Sequence, residues 1–187
     1  TAMQVALLPI AKLLDANVPP SCFGVSGYSG AGTTPSRKND PIALKDNLQP
    51  YALQGHLHER EVLQQVKAAG APISALNFVP HVAPWFRGIT MTVTATLSDA
   101  MSESDLRGVY AKYFEGEPMV RVTNEIPEVQ AAAGHHGVTI SVHSAPSHPK
   151  RVVLCVTIDN LLKGAATQAL QNMNLMAGFE ETRGIPL

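Results

Sequence analysis

Residues 152–158, Val-Val-Leu-Cys-Val-Thr-Ile, are apolar at nearly every position, whereas residues 89–97 alternate Ile, Met, Val, Ala and Leu with four threonines. The continuous run predicts a central strand buried on both faces, and the strict alternation predicts a strand with one face in a core. A sheet holding both strands needs cover on each side. The chain has too few helical stretches to supply all of it, so part of the cover is expected from a second copy, in a homodimer or higher homo-oligomer.

The remaining periodicity fills in the class. Helical patterns run over residues 1–14, 59–69, 103–114 and 163–176, with Ser102 as the N-cap of the third. Further strands are expected at 21–28, 51–58, 73–82, 119–122 and 138–143, and residues 33–50, rich in Pro, Asn, Asp and Ser, are expected to form a surface loop. The order lacks a strict βαβ alternation. It predicts one α+β domain over residues 1–187, built on a mixed, largely antiparallel sheet. The first helix opens at Thr1 with no preceding turn or N-cap signal, so the segment is expected to continue a longer chain.

Composition excludes several functions. Lys plus Arg number 14 against 15 Asp plus Glu, a net charge of −1, so no basic surface for nucleic acid is expected. No apolar run approaches the roughly 18–20 residues of a membrane helix. The two cysteines, Cys22 and Cys155, form no C-x-x-C pair, lie in apolar surroundings and have no basic neighbour in sequence. They are expected to be core residues rather than nucleophiles or metal ligands.

Three places hold residues suited to chemistry. Ser29-Gly30-Ala31-Gly32 follows a strand, where glycine lets the backbone approach a phosphate and serine adds a donor, or where it simply makes a turn. His56 and His58 would share one face of a strand, a pattern that suits a metal, a general acid/base or plain packing. The stretch 78–88 crowds two prolines, Trp85, His81 and Arg87 into one junction. Arg87 there suits either bidentate pairing with a carboxylate or phosphate, or pairing with a surface carboxylate at an interface.

Taken in order, these blocks resemble the C-terminal part of the N-acetyl-gamma-glutamyl-phosphate reductases, members of the semialdehyde dehydrogenase family. The residues are Thr1-Ala2-x-x-x-Ala6-Leu7-x-Pro9, Ser26-Gly27-Tyr28-Ser29-Gly30-Ala31-Gly32, His56-Leu57-His58, Pro80-His81 with Arg87-Gly88, and Asp159-Asn160-Leu161-Leu162-Lys163-Gly164-Ala165-Ala166 running on to Asn174. His58-Glu59-Arg60-Glu61 and Ser36-x-Lys38-Asn39-Asp40-Pro41 look closer to the fungal type, in which the reductase is cut from a mitochondrial precursor that also holds acetylglutamate kinase.

The resemblance implies an NADP-binding domain and a catalytic cysteine ahead of Thr1, with the helical segment 163–178 docking on that domain. It implies reduction of an acyl phosphate, N-acetyl-glutamyl 5-phosphate, through a cysteine thioester and hydride from NADPH. By position it makes His58 the catalytic acid/base, Ser29, Gly30, Gln168 and Asn172 cofactor contacts, and His56, His81 and Arg87 substrate contacts. No metal is implied. Thr33 stands where many relatives carry Arg. The location implied is the mitochondrial matrix for a fungal protein and the cytoplasm otherwise. A different semialdehyde dehydrogenase, and a non-catalytic dimerisation or metal-binding module using His56 and His58, remain the alternatives.

Overall fold

A computed structural model describes residues 1–187. A seven-stranded sheet runs in the order β2-β3-β1-β4-β7-β6-β5, with β1 Ser21–Gly27, β2 Gln49–Pro50, β3 Asn77–Ala83, β4 Ile89–Thr96, β5 Val120–Thr123, β6 Val138–Ala145 and β7 His148–Ile158. Pairs β1–β3 and β5–β6 are parallel and the other four are antiparallel, so the expected α+β class with a largely antiparallel sheet holds. The helices are α1 Ala2–Leu7, α2 Pro41–Leu44, α3 Leu57–Ala68, α4 Glu103–Tyr113, α5 Val129–Ala132 and α6 Thr167–Met176.

The alternating strand behaves as its pattern dictates. In β4, Met91, Val93 and Ala95 are buried with Leu154, Val156 and Ile140 of the neighbouring strands, under α1, α3 and α4. Tyr110 of α4 is fully buried there, its hydroxyl donating to the carbonyl of Ala6 at 2.5 Å. The opposite face carries the row Val79, Phe23, Thr92, Cys155, Ser141 across five strands. Phe23 on that row is 43% exposed, and Thr92 and Cys155 are half-buried.

Four local expectations need correction. The first helix stops at Leu7 instead of reaching residue 14, because Pro9 has no N–H to continue the ladder; a 3₁₀ turn at Ala11–Leu13 follows. Residues 51–56 are not a strand. Ala52 and Gly55 both take positive φ, 42° and 67°, which breaks an extended path, and α3 begins at Leu57. The loop 33–50 contains α2, capped by the Asp40 carboxylate on the Ile42 amide, and the short β2. The strand expected from residue 73 begins only at Asn77, with Ile73 and Leu76 packed as irregular core.

Candidate active site

The sequence candidates gather where β1 and β3 end beside the start of α3. At the end of β1 the amides of Gly27, Tyr28 and Ser29 donate to the carbonyls of Gly88, Trp85 and Phe86, at 2.8, 2.9 and 3.0 Å. A Cβ on Gly27 would lie 2.6 Å from the Phe86 carbonyl oxygen, so only glycine permits this crossing. Those three amides are therefore already satisfied within the protein and do not point at a ligand. What the turn presents outward is the Ser29 side chain and the backbone of Gly30.

The Asp159-Asn160 pair at the end of β7 ties this turn down. Asn160 accepts from the Gly88 amide at 2.6 Å and donates to the Ser29 hydroxyl at 2.8 Å. Asp159 is fully buried and accepts from the amides of Gly134, Leu161 and Leu162. Its Oδ2 lies 3.0 Å from Nε of Arg87, a charge contact in which the Nε–H is not directed at the oxygen. Arg87 thus meets neither a surface carboxylate at an interface nor a bidentate partner, but a buried carboxylate of its own chain. The organising role of Asp159 and Asn160 was missed as site chemistry. Two polar residues following a buried strand were the available signal, since buried polar groups must be bonded.

His56 and His58 do meet, but not on a strand. His56 is the N-cap of α3, its Nδ1 accepting from the His58 amide at 3.1 Å, and the two rings stand 4.8 Å apart. His56 also packs edge-on against Tyr51 and Phe78. Burial and the neighbouring His58 hold its pKa below the ordinary histidine value, against the opposing pull of Glu59 and Glu61. His58 sits in the first helical turn, 61% exposed, with Nε2 at 4.0 Å from Glu61 Oε2. Its imidazole thus stands open at the cleft, with a carboxylate beside it.

A cleft of about 390 Å³ brings together His58, Glu61, Gly30, His81, Asn160 and Thr1. Ser29 opens instead onto an adjoining cleft with Thr33, Ser36, Asn39 and Asp40. His81 stacks on Phe23 with ring centroids 4.4 Å apart. His56 and Arg87 stand behind these clefts and line neither; Gln168 and Asn172 lie on α6, half-buried and exposed. Neither thiol is poised for attack: burial and Glu59 push Cys22 up to about 12, and burial raises Cys155 despite hydrogen bonds from Ser141 and Thr92. No three His, Cys, Asp or Glu side chains come together as a metal-binding group.

This arrangement belongs to a known class. The family model for the semialdehyde dehydrogenase dimerisation domain matches residues 1–160, and the chain belongs to that family. It is 51% identical over 185 residues to the N-acetyl-gamma-glutamyl-phosphate reductase of Xanthomonas campestris pv. campestris (strain B100), covering 99% of this chain and 56% of that protein. It is 49% identical over 187 residues to the Schizosaccharomyces pombe protein arg11, mitochondrial, covering 20% of that protein. The bacterial and fungal relatives match almost equally. The fold also resembles the crystal structure of aspartate semialdehyde dehydrogenase II from Vibrio cholerae, with TM-score 0.73, 21% identity, and coverage of 95% of this chain and 59% of that one. The chain thus spans a little over half the length of the bacterial reductases it matches.

Proposed function

We propose that this chain is the dimerisation and substrate-side part of an NADP-dependent reductase that converts N-acetyl-L-glutamyl 5-phosphate to N-acetyl-L-glutamate 5-semialdehyde in arginine biosynthesis. The observation that carries it is identity of about half the residues, over nearly the whole of this chain, with N-acetyl-gamma-glutamyl-phosphate reductases. The cleft fits the task, since it joins an exposed histidine, a carboxylate and the Gly30 turn on one wall.

His58 is the acid/base residue in this reading. It takes the proton of the attacking thiol and gives it to the phosphate that the sulfur displaces from the acyl carbon, with Glu61 beside the ring; once hydride has reached the thioester carbon, the thiolate leaves as the aldehyde forms. Burial holds the Cys22 thiol protonated and Cys155 lies on the sheet face away from the cleft, so in this reading the thiolate comes from a part of the reductase outside these residues. NADPH supplies the hydride. Gln168 and Asn172 on α6 would hold that cofactor through their amide side chains, together with the Ser29–Gly30 turn, whose Ser29 hydroxyl is fixed by Asn160. His81 borders the cleft as a substrate-side residue, its ring stacked on Phe23 toward the face of the second copy. His56 and Arg87 support it from behind, His56 by capping α3 and Arg87 by its contact with Asp159.

The partner is a second copy, seated on the half-open sheet face of Phe23, Thr92 and Cys155. The apolar outer face of α6 docks on the nucleotide-binding domain. The fungal relative is a mitochondrial protein, which points to mitochondria if the source is a fungus, and acetylglutamate kinase from the same precursor would then be a neighbour. No helix is long and apolar enough to cross a membrane.

The test is a reductase assay of the full-length protein with NADPH and either N-acetyl-glutamyl phosphate or aspartyl phosphate. Turnover of the first, with background activity from residues 1–187 alone, is expected because the thiolate, hydride donor and acid/base must all meet within about 3–3.5 Å. Preference for aspartyl phosphate would overturn the substrate. Robust turnover by residues 1–187 alone would overturn the assignment of the nucleophile.

A further inference from the structure

Helix α6 is built inside out. Its buried positions, with the turn before it, are Lys163, Thr167, Gln171 and Asn174, at 6%, 2%, 4% and 3% exposure, spaced four, four and three residues apart. Its open side carries Met173, Leu175 and Met176, the last 89% exposed. Burying four polar side chains in one stripe is unfavourable unless each is bonded. Each is. Thr167 Oγ1 is 2.8 Å from His136 Nδ1, and Asn174 donates to the carbonyls of Glu181 and Arg183, both at 2.9 Å. Lys163 Nζ donates to Gln171 Oε1 at 2.5 Å, and Gln171 Nε2 donates to Glu181 Oε1 at 2.6 Å.

Lys163 thus makes no direct ion pair, and it reaches the Glu181 carboxylate through the Gln171 amide. It sits in a π-helical turn, Leu162–Ala166, immediately before α6, and its pKa is lowered by burial while Glu181 and Glu117 counter that shift. The tail that supplies Glu181 is itself anchored, with Ile185 buried at 7% exposure. The chemistry in the cleft makes no use of this Lys–Gln–Glu line.

We propose that Lys163, Gln171 and Glu181 form a positioning relay that locks the roll of α6 against the tail at 180–185, so that Gln168 and Asn172 are presented together toward the cofactor side. The proposal rests on the reductase reading above. The relay acts through the helix and touches neither cofactor nor substrate. A helix whose apolar face is not held by its own domain needs such a clamp, because burial alone does not choose its rotation.

The test uses the full-length reductase. NADPH dissociation constants are measured by fluorescence, amide exchange is followed over residues 163–185, and kcat and KM are determined separately. Lys163→Met and Gln171→Leu are expected to raise the NADPH Kd about five- to tenfold, speed exchange in the tail, and change kcat less than KM for NADPH. Glu181→Gln keeps an acceptor for Gln171 and should cost only about twofold. Thr167→Val, equally buried on the same helix but unconnected to the tail, should leave the Kd within about twofold. If Lys163→Met does not fold, Glu181→Ala carries the same expectation from the half-buried end of the line.

Wild-type affinity in Lys163→Met, or in Glu181→Ala where that stands in, overturns the relay, as does unchanged exchange at 180–185. An equal loss in Thr167→Val also overturns it, since the effect would then be general destabilisation. A wild-type protein that binds no NADPH overturns the reductase reading as well, whereas failure of the variants beside a binding wild type overturns the relay alone.

Discussion

Helices α3 and α6 are of similar length, twelve and ten residues, and are built on opposite plans. α3 buries Val62 and Val66 against the core and turns Arg60, Gln64 and Lys67 outward. α6 buries Thr167, Gln171 and Asn174 and turns Met173, Leu175 and Met176 outward. The first is held by apolar burial, which tolerates small shifts. The second is held by hydrogen bonds, which do not. In the proposed reading the proton carrier sits at the start of α3, and α6 is the surface that meets another domain. A helix inverted in this way is a marker of an unfinished interface.

The largest expected effect lies at the start of α3. In the full-length reductase, His58→Asn should lower kcat by roughly 10²–10⁴, the worth of a positioned general acid/base, and leave NADPH affinity nearly unchanged. His56→Asn should cost far less, because asparagine can still cap the helix. Steady-state kinetics of both variants decides it, and a larger kcat loss at residue 56 would reverse the two roles.

Next in size is the contrast in stability. Val66→Ala removes two buried carbons from a fully buried site and should destabilise the chain by about 2 kcal/mol. Met176→Lys, at an 89% exposed position, should change the stability of residues 1–187 by less than about 0.5 kcal/mol. In the full-length protein the same lysine should lower the melting temperature, by charging the face that meets the nucleotide domain. Denaturant titrations of the short and full-length proteins measure both. Equal effects of Met176→Lys in the two contexts would mean that α6 has no second surface to lose.

The same contrast explains what was legible beforehand. Residues 89–97 and 152–158 reveal the core strands because period and burial agree there. Ser102 marks the start of α4 because serine is an ordinary N-cap, and its Oγ accepts from the Asp105 amide at 3.1 Å. His56 gives no such signal, since imidazole is an uncommon cap, and two histidines two residues apart imitate a strand. The polar stripe of α6 was equally opaque: Lys163, Thr167, Gln171 and Asn174 have helical spacing, but spacing does not say which side is inside when the buried side is polar. Asn160 was readable only as part of a family block, because its partners lie 72 and 131 residues away in sequence.

A finer break of the comparison comes from dimerisation. Thr92→Arg, on the half-open sheet face, should shift sedimentation of the full-length protein toward monomer while leaving the monomer folded, because its side chain points away from the sealed core. Thr92 lies beside Phe23 and Cys155 in the register, so one arginine there meets the centre of the proposed contact. Unchanged sedimentation at micromolar concentration would move the interface elsewhere.

The smallest expected effect is a pH dependence carried by the α3 cap. The folded state holds the His56 pKa below its ordinary value, chiefly by burial and by His58. The unfolded chain therefore binds a proton at this site more readily than the folded one. By linkage, the contribution of neutral His56 to stability is complete above the ordinary histidine value near 6.5 and is lost as pH falls from there through the lower folded value. The direction agrees with the geometry, since Nδ1 must stay unprotonated to accept from the His58 amide. Protonation would turn that acceptor into a donor facing a donor, at the positive end of the α3 dipole. Melting temperatures between pH 7.5 and 5 should fall for the wild type and fall less steeply for His56→Asn, whose cap does not titrate. α6 has no histidine of its own, and its link to His136 is to a hydroxyl, which can donate or accept as the ring requires. Removing that link with Thr167→Val should therefore leave the slope as it is. A slope that follows Thr167→Val and ignores His56→Asn would place the pH-sensitive clasp on α6 instead.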